Sequence, residues 1–132
     1  MTMIQAQRNE TNDTVAVARA AYEAYVRKDR AAIEKLVAED FHFTSPLDNR
    51  IDRAAYFEYC WPNCENITRF DFINLVADRD RVFVTYEGYS TGGNVFRNTE
   101  IITVRDGQLV DVEVYFGWSI PHKAKPGTHH DD

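Results

Sequence analysis

The sequence predicts an α+β domain, with helices packed on one face of a curved, mostly antiparallel sheet. Three observations predict it. Apolar residues recur three and four apart through the first part of the chain and every second residue from Ile67 onward. The main change of period falls there, so most of the strands follow the helices rather than alternating with them. The strand-like part is punctuated by Asp78-Arg79-Asp80, Gly92-Gly93-Asn94 and Asp106-Gly107, residues that tolerate the positive φ of tight hairpins.

Each element follows from its own residues. Ala18, Ala21, Tyr22, Tyr25 and Val26 form one apolar stripe, which predicts a helix over residues 14–28 with N-cap oxygens among Thr11, Asn12, Asp13 and Thr14. Asp29 is placed to cap a second helix over residues 30–39, with Ile33, Leu36 and Val37 inward. Phe41 to Thr44 alternates as a short strand that stops at Ser45-Pro46, and Leu47 to Arg50 reads as a loop. Asp52 is placed to cap a third helix from Arg53 to about Cys60, ended by Pro62. Four strands are expected over residues 67–77, 81–91, 95–105 and 108–118. The 132 residues make a single domain, with a core over residues 12–118 and flexible segments at 1–11 and 119–132.

Composition narrows the function. The net charge of −6 disfavours nucleic acid, whose phosphates call for a basic surface. No run approaches the 18 or so apolar residues of a membrane span, and the opening residues lack the apolar segment of a signal peptide, so a cytoplasmic location is expected. Cys60 and Cys64 are spaced neither as a redox pair nor as a zinc half-site. His122, His129 and His130 fall in a polar tail. No metal and no cofactor is expected.

Strand faces supply the candidate site. In the last strand Val110, Val112, Val114, Phe116 and Trp118 share the apolar face. In the strand before it, alternation puts Asn98 and Glu100 on one face with Phe96, Ile102 and Val104. A carboxylate among apolar neighbours is costly to ionise, which raises its pKa and suits proton exchange near neutrality. The bland alternative stays open: Glu100 at a wet strand end, or paired with Arg50 or Arg69. Asn98 is either its hydrogen-bond neighbour or an edge residue. Tyr22, Tyr25 and Tyr86 point to the same interior, as core or as hydroxyl donors to a developing oxyanion. His42 alternates with Phe41 and Phe43 and is expected to point outward, away from any catalytic position.

The runs Ala21-Tyr22-Glu23-Ala24-Tyr25 before Lys28-Asp29, and Leu36-Val37-Ala38-Glu39-Asp40-Phe41 before Thr44-Ser45-Pro46, come in a distinctive order. Val104-Arg105-Asp106-Gly107-Gln108-Leu109-Val110 and Val114-Tyr115-Phe116-Gly117 follow them. In order and spacing, over residues 12–118, the chain resembles the SnoaL-like branch of the nuclear transport factor 2 superfamily. The resemblance implies a cone of curved sheet around the helices with an internal pocket, and a homodimer formed through the sheet's outer face. That superfamily hosts polyketide cyclases, ketosteroid isomerases, epoxide hydrolases, dehydratases and non-catalytic binding modules, so scaffold does not fix reaction. Glu100 falls where ketosteroid isomerases keep a carboxylic acid as hydrogen-bond donor, a known case of a neutral buried acid. Their proton-shuttling aspartate is replaced by Ser45, and Gly117 stands where cyclases often have an acid.

The expected activity is cofactor-free acid–base chemistry of isomerase, cyclase or dehydratase type on a small hydrophobic carbonyl or hydroxyl compound. Glu100, Tyr22 and Asn98 would carry the chemistry. Tyr25, Phe43, Ser45, Tyr86, Phe96, Val112, Val114, Phe116 and Trp118 would hold the small apolar ligand. The alternative is a non-catalytic ligand-binding or dimerisation module.

Overall fold

A computed structural model describes residues 3–131, with side chains from residue 13 onward. Its elements run α1 (Met3–Arg27), α2 (Arg30–Leu36), β1 (Val37–Ser45), β2 (Asp48–Asp52), α3 (Arg53–Tyr59), a 3-10 helix (Trp61–Asn66), β3 (Ile67–Asp78), β4 (Arg81–Ser90), β5 (Val95–Arg105) and β6 (Gln108–Ile120). The strands make one curved, unclosed sheet in the order β2-β1-β6-β5-β4-β3. Strands β3 to β6 are an antiparallel meander, while β1 runs parallel to β6 and pairs antiparallel with β2.

Two predicted caps are made: Asp29 accepts from Ala32 N at 3.1 Å and Asp52 from Ala55 N at 2.9 Å. Between β5 and β6, Asp106 (φ 52°) and Gly107 (φ 75°) both turn left-handed, as a two-residue hairpin with this twist requires.

Three boundaries differ from expectation. Helix α1 starts at Met3, so positions 11–14 lie within it rather than ahead of it; no Gly or Pro precedes them to stop the helix. Helix α2 ends at Leu36, because Val37 leaves the helix to pair with Leu109 of β6. The segment read as a loop contains β2, whose Ile51 pairs with Phe43.

The core lies where α1, α2 and α3 meet the sheet. Tyr22 of α1 makes edge-on ring contacts with Phe70, Phe72 and Tyr86 at 5.2–5.5 Å between centroids. Tyr56 of α3 does the same with Phe41 at 5.2 Å. Such pairs add about 0.5–1.5 kcal/mol each beyond the area they bury. Phe41, Val82, Val84 and Ile102 are sealed from solvent.

Candidate functional site

Strands β4, β5 and β6 present their inward side chains in rungs, because directly paired residues share a face. The first rung, Val82–Ile102–Val112, is buried and wholly apolar. The next is Val84–Glu100–Val114, a carboxylate between two valines. The third is Tyr86–Asn98–Phe116, and the fourth Gly88–Phe96–Ser119. A Cβ on Gly88 would come within 2.5 Å of Phe96 Cζ, so the Phe96 ring lies across the glycine and only glycine fits beneath it.

Beneath these rungs is a cavity of about 430 Å³. Glu100, Asn98, Phe96, Tyr86, Val112, Val114 and Phe116 line it from the sheet; Tyr22, Tyr25, Phe43 and Ser45 line it from α1 and β1. His42 does not line it. Trp118 does not either, and the reason is a β-bulge. Asn98 pairs with Phe116 but Phe96 pairs with Ser119, so Gly117 and Trp118 together face Arg97. The extra residue reverses the alternation, and Trp118 turns to the outer face, where the Arg97 guanidinium lies 5.8 Å from its ring. A Cβ on Gly117 would sit 2.2 Å from the Arg97 carbonyl oxygen, which explains glycine at that point. A second bulge puts Leu109, rather than Val110, on the cavity wall beside Val112.

A chain of hydrogen bonds fixes the carboxyl. Gly117 N–H donates to Asn98 Oδ1 (3.3 Å), Asn98 Nδ2 donates to Tyr86 Oη (3.3 Å), and Tyr86 O–H donates to Glu100 Oε2 (2.6 Å). Asn98 therefore orients Tyr86 rather than touching Glu100. Neither Arg50 nor Arg69 pairs with Glu100; Arg69 is taken by Asp71 at 3.1 Å. Glu100 is half-buried and lines the cavity. Burial pushes its pKa above the ordinary carboxylate value, and the Tyr86 hydrogen bond and the nearby Tyr22 hydroxyl, which both favour the ion, offset only part of that.

Tyr22 is 7% exposed and its hydroxyl has no hydrogen-bond partner among the described residues. A buried polar group left unpaired is unusual and costs about 1–3 kcal/mol. Burial, and after it the charge of nearby Glu100, holds its pKa well above that of a free phenol. Tyr25, Tyr56 and Tyr86 are likewise raised, mainly by burial, so all four phenols remain protonated donors.

The cavity wall holds a second carboxylate that strand patterning missed. Asp48, at the start of β2, lines the wall and accepts from Ser45 Oγ at 2.7 Å. The Cys60 thiol lies 3.9 Å from the same oxygen, and its own pKa is pushed up to about 12, by burial first and Asp48 second. Leu47, Tyr59 and Phe116 line the cavity yet are exposed, and so make its apolar mouth. A Ser-x-x-Asp spacing around a proline turn was the available signal for Asp48. Among the described residues no cluster of three or more His, Cys, Asp or Glu could hold a metal, and no helix is long and apolar enough to cross a membrane.

Comparison with known proteins places this arrangement. Among curated proteins none matches the chain. The solved structures it resembles include a Kribbella flavida protein named as a proposed ketosteroid isomerase (21% identity, TM-score 0.73, 89% of this chain and 86% of that one). An epoxide hydrolase of the LEH-like type from M. tuberculosis is similar at 16% identity and TM-score 0.71, covering 82% and 85%. A nuclear-transport-factor-2-like protein of unknown function from Burkholderia pseudomallei follows at 17% identity and TM-score 0.63, covering 80% and 91%. At such identities they establish the fold and leave the reaction open. The sequence model of the SnoaL-like domain matches residues 18–112, most of the chain and nearly all the elements that build the cavity. The chain therefore belongs to the SnoaL-like family, and its fold is that of nuclear-transport-factor-2-like proteins.

Proposed function

We propose that the protein carries out cofactor-free acid–base chemistry, of isomerase, cyclase or dehydratase type, on a small hydrophobic carbonyl or hydroxyl compound held in the cavity. The observation that carries this reading is Glu100, a carboxyl between two valines on the cavity wall with one oxygen fixed by Tyr86 and the Tyr22 hydroxyl close by, which leaves its second oxygen for the ligand. Protonated, Glu100 donates through that second oxygen to the ligand's carbonyl or hydroxyl oxygen. As the proton leaves, Tyr86 O–H stabilises the carboxylate that forms, and that carboxylate then takes the proton that a ligand C–H gives up, so that the double bond shifts or water departs and the acid is restored. Tyr22, next to Glu100 and unpartnered, supplies a second donor where charge develops on the ligand oxygen. The apolar walls keep water out and so strengthen both interactions. The proton transfers require side chains alone.

The family supports the scaffold of this reading, and relatives named for ketosteroid isomerase and epoxide hydrolase activities share the fold. Carboxyl NMR tests it directly. Glu100 is expected to titrate clearly above a free glutamate, with its signal moving when an apolar ketone is added; an ordinary glutamate titration would end the acid–base role. The outer face of the sheet carries exposed Tyr115 and Trp118, and we assign it to pairing of two copies. Light scattering at micromolar concentration is expected to give twice 15.3 kDa.

A further inference from the structure

The cavity wall contains two carboxylates and, among the described residues, no lysine, arginine or histidine. Glu100 lies between valines on the sheet; Asp48 lies by the mouth, beside exposed Leu47. Their hydrogen bonding is complementary. Glu100 has its Oε2 occupied by the Tyr86 O–H, and the Tyr22 hydroxyl beside it is a further donor, so that pole offers donors to a ligand. Asp48 receives Ser45 Oγ on Oδ2, while Oδ1 accepts no hydrogen bond among the described residues. That pole offers an acceptor. Between the two, the walls are rings and branched aliphatics.

An anionic ligand would meet two acids, no cation and a chain of net charge −6. Burying a charge without a partner is heavily disfavoured, and like charge adds to the cost. We infer that the ligand is an uncharged, largely apolar molecule with a hydrogen-bond acceptor toward Glu100 and a hydroxyl toward Asp48, and that Asp48 is the residue selecting that hydroxyl and rejecting carboxylates, phosphates and other anions. The donor end rests on the reading of Glu100 above; the hydroxyl end and the exclusion of anions stand on Asp48 and the missing cations.

Three naphthalene probes separate these parts: 2-acetylnaphthalene, 6-acetyl-2-naphthol and 6-acetyl-2-naphthoate, titrated by fluorescence. The wild type is expected to bind the naphthol about tenfold more tightly than the plain ketone, as a hydrogen bond to a charged acceptor allows. The naphthoate is expected to bind at least about tenfold more weakly than the ketone. In Asp48→Ala the naphthol's advantage should vanish with ketone affinity unchanged. In Asp48→Asn, which keeps an acceptor oxygen and removes the charge, the advantage should persist in part and naphthoate binding should rise. Equal wild-type affinities for naphthol and ketone, an advantage that survives Asp48→Ala, naphthoate bound as well as ketone, or no binding of any probe would each overturn the inference. Glu100→Gln keeps the two tests apart: a ketone affinity unchanged by it, with the naphthol's advantage intact, would defeat the acid–base reading and leave Asp48's selectivity standing.

Discussion

Strands β4, β5 and β6 pass from a buried, wholly apolar stretch of the cavity wall to a chemically loaded one, within three rungs of the same ladder. At Val82–Ile102–Val112 every side chain is apolar and buried. One rung along, Glu100 replaces the central aliphatic; one further, Tyr86 and Asn98 complete the polar chain. Backbone pairing is continuous across all three, so the sheet spends no hydrogen bonds on the difference. The lesson is that one continuous wall changes its chemistry by single side chains on an unchanged backbone.

The contrast breaks first at its apolar end. Ile102 is 2% exposed, and Ile102→Ala should cost about 2–5 kcal/mol in chemical denaturation, through lost burial and an unfilled hole. Ile102 also borders the cavity, and a cost below about 1 kcal/mol would mean that its side chain meets open space more than packed neighbours. At the loaded end, Gly117→Ala drives a methyl into the Arg97 carbonyl, where backbone, not a pliant side chain, must yield. Thermal unfolding should show a loss of about 1–3 kcal/mol. Near-neutrality would show that the bulge, and with it the outward turn of Trp118, is readily remodelled.

Those two sites also mark how far alternation can be read. Glu100 was placed among apolar neighbours from sequence alone because β5 pairs regularly from Asn98 to Thr103, with no extra residue to reverse the faces. Trp118 was assigned to the same wall and lies outside it, since a bulge is a property of two strands together. Gly117 inside an aromatic strand was its one local sign. Asp48 was hidden for a different reason. Asp48, Asn49, Arg50 and Asp52 have little strand preference of their own, and β2 exists by pairing with β1. Val37 was read as helix for the same cause: its strand partner, Leu109, is far along the chain.

The next effect depends on pH. Glu100 has its pKa raised in the folded state, so over the range above an ordinary glutamate the native protein holds a proton that the unfolded chain has released. Stability from this group is therefore full below the ordinary glutamate value and declines as pH rises through the folded one. In Glu100→Gln that decline should disappear, leaving the variant more stable than wild type at neutral pH. Parallel pH profiles for the two proteins would show that Glu100 is as wet as a surface carboxylate, and the comparison between rungs would lose its chemical content.

The smallest effect is the sharpest. In most proteins Tyr→Phe at a buried position costs a hydrogen bond, but the Tyr22 hydroxyl makes none among the described residues. Its ring contacts with Phe70, Phe72 and Tyr86 would all survive the change. Tyr22→Phe should therefore leave stability unaltered or raise it, by up to about 1 kcal/mol, because an unpaired polar group is removed from the interior. The same variant should bind 2-acetylnaphthalene more weakly, since the hydroxyl's partner is a ligand oxygen. A residue that weakens the empty fold and strengthens the filled one is placed for the ligand. Loss of stability with unchanged affinity would instead assign Tyr22 to the apolar end, with Val82 and Ile102.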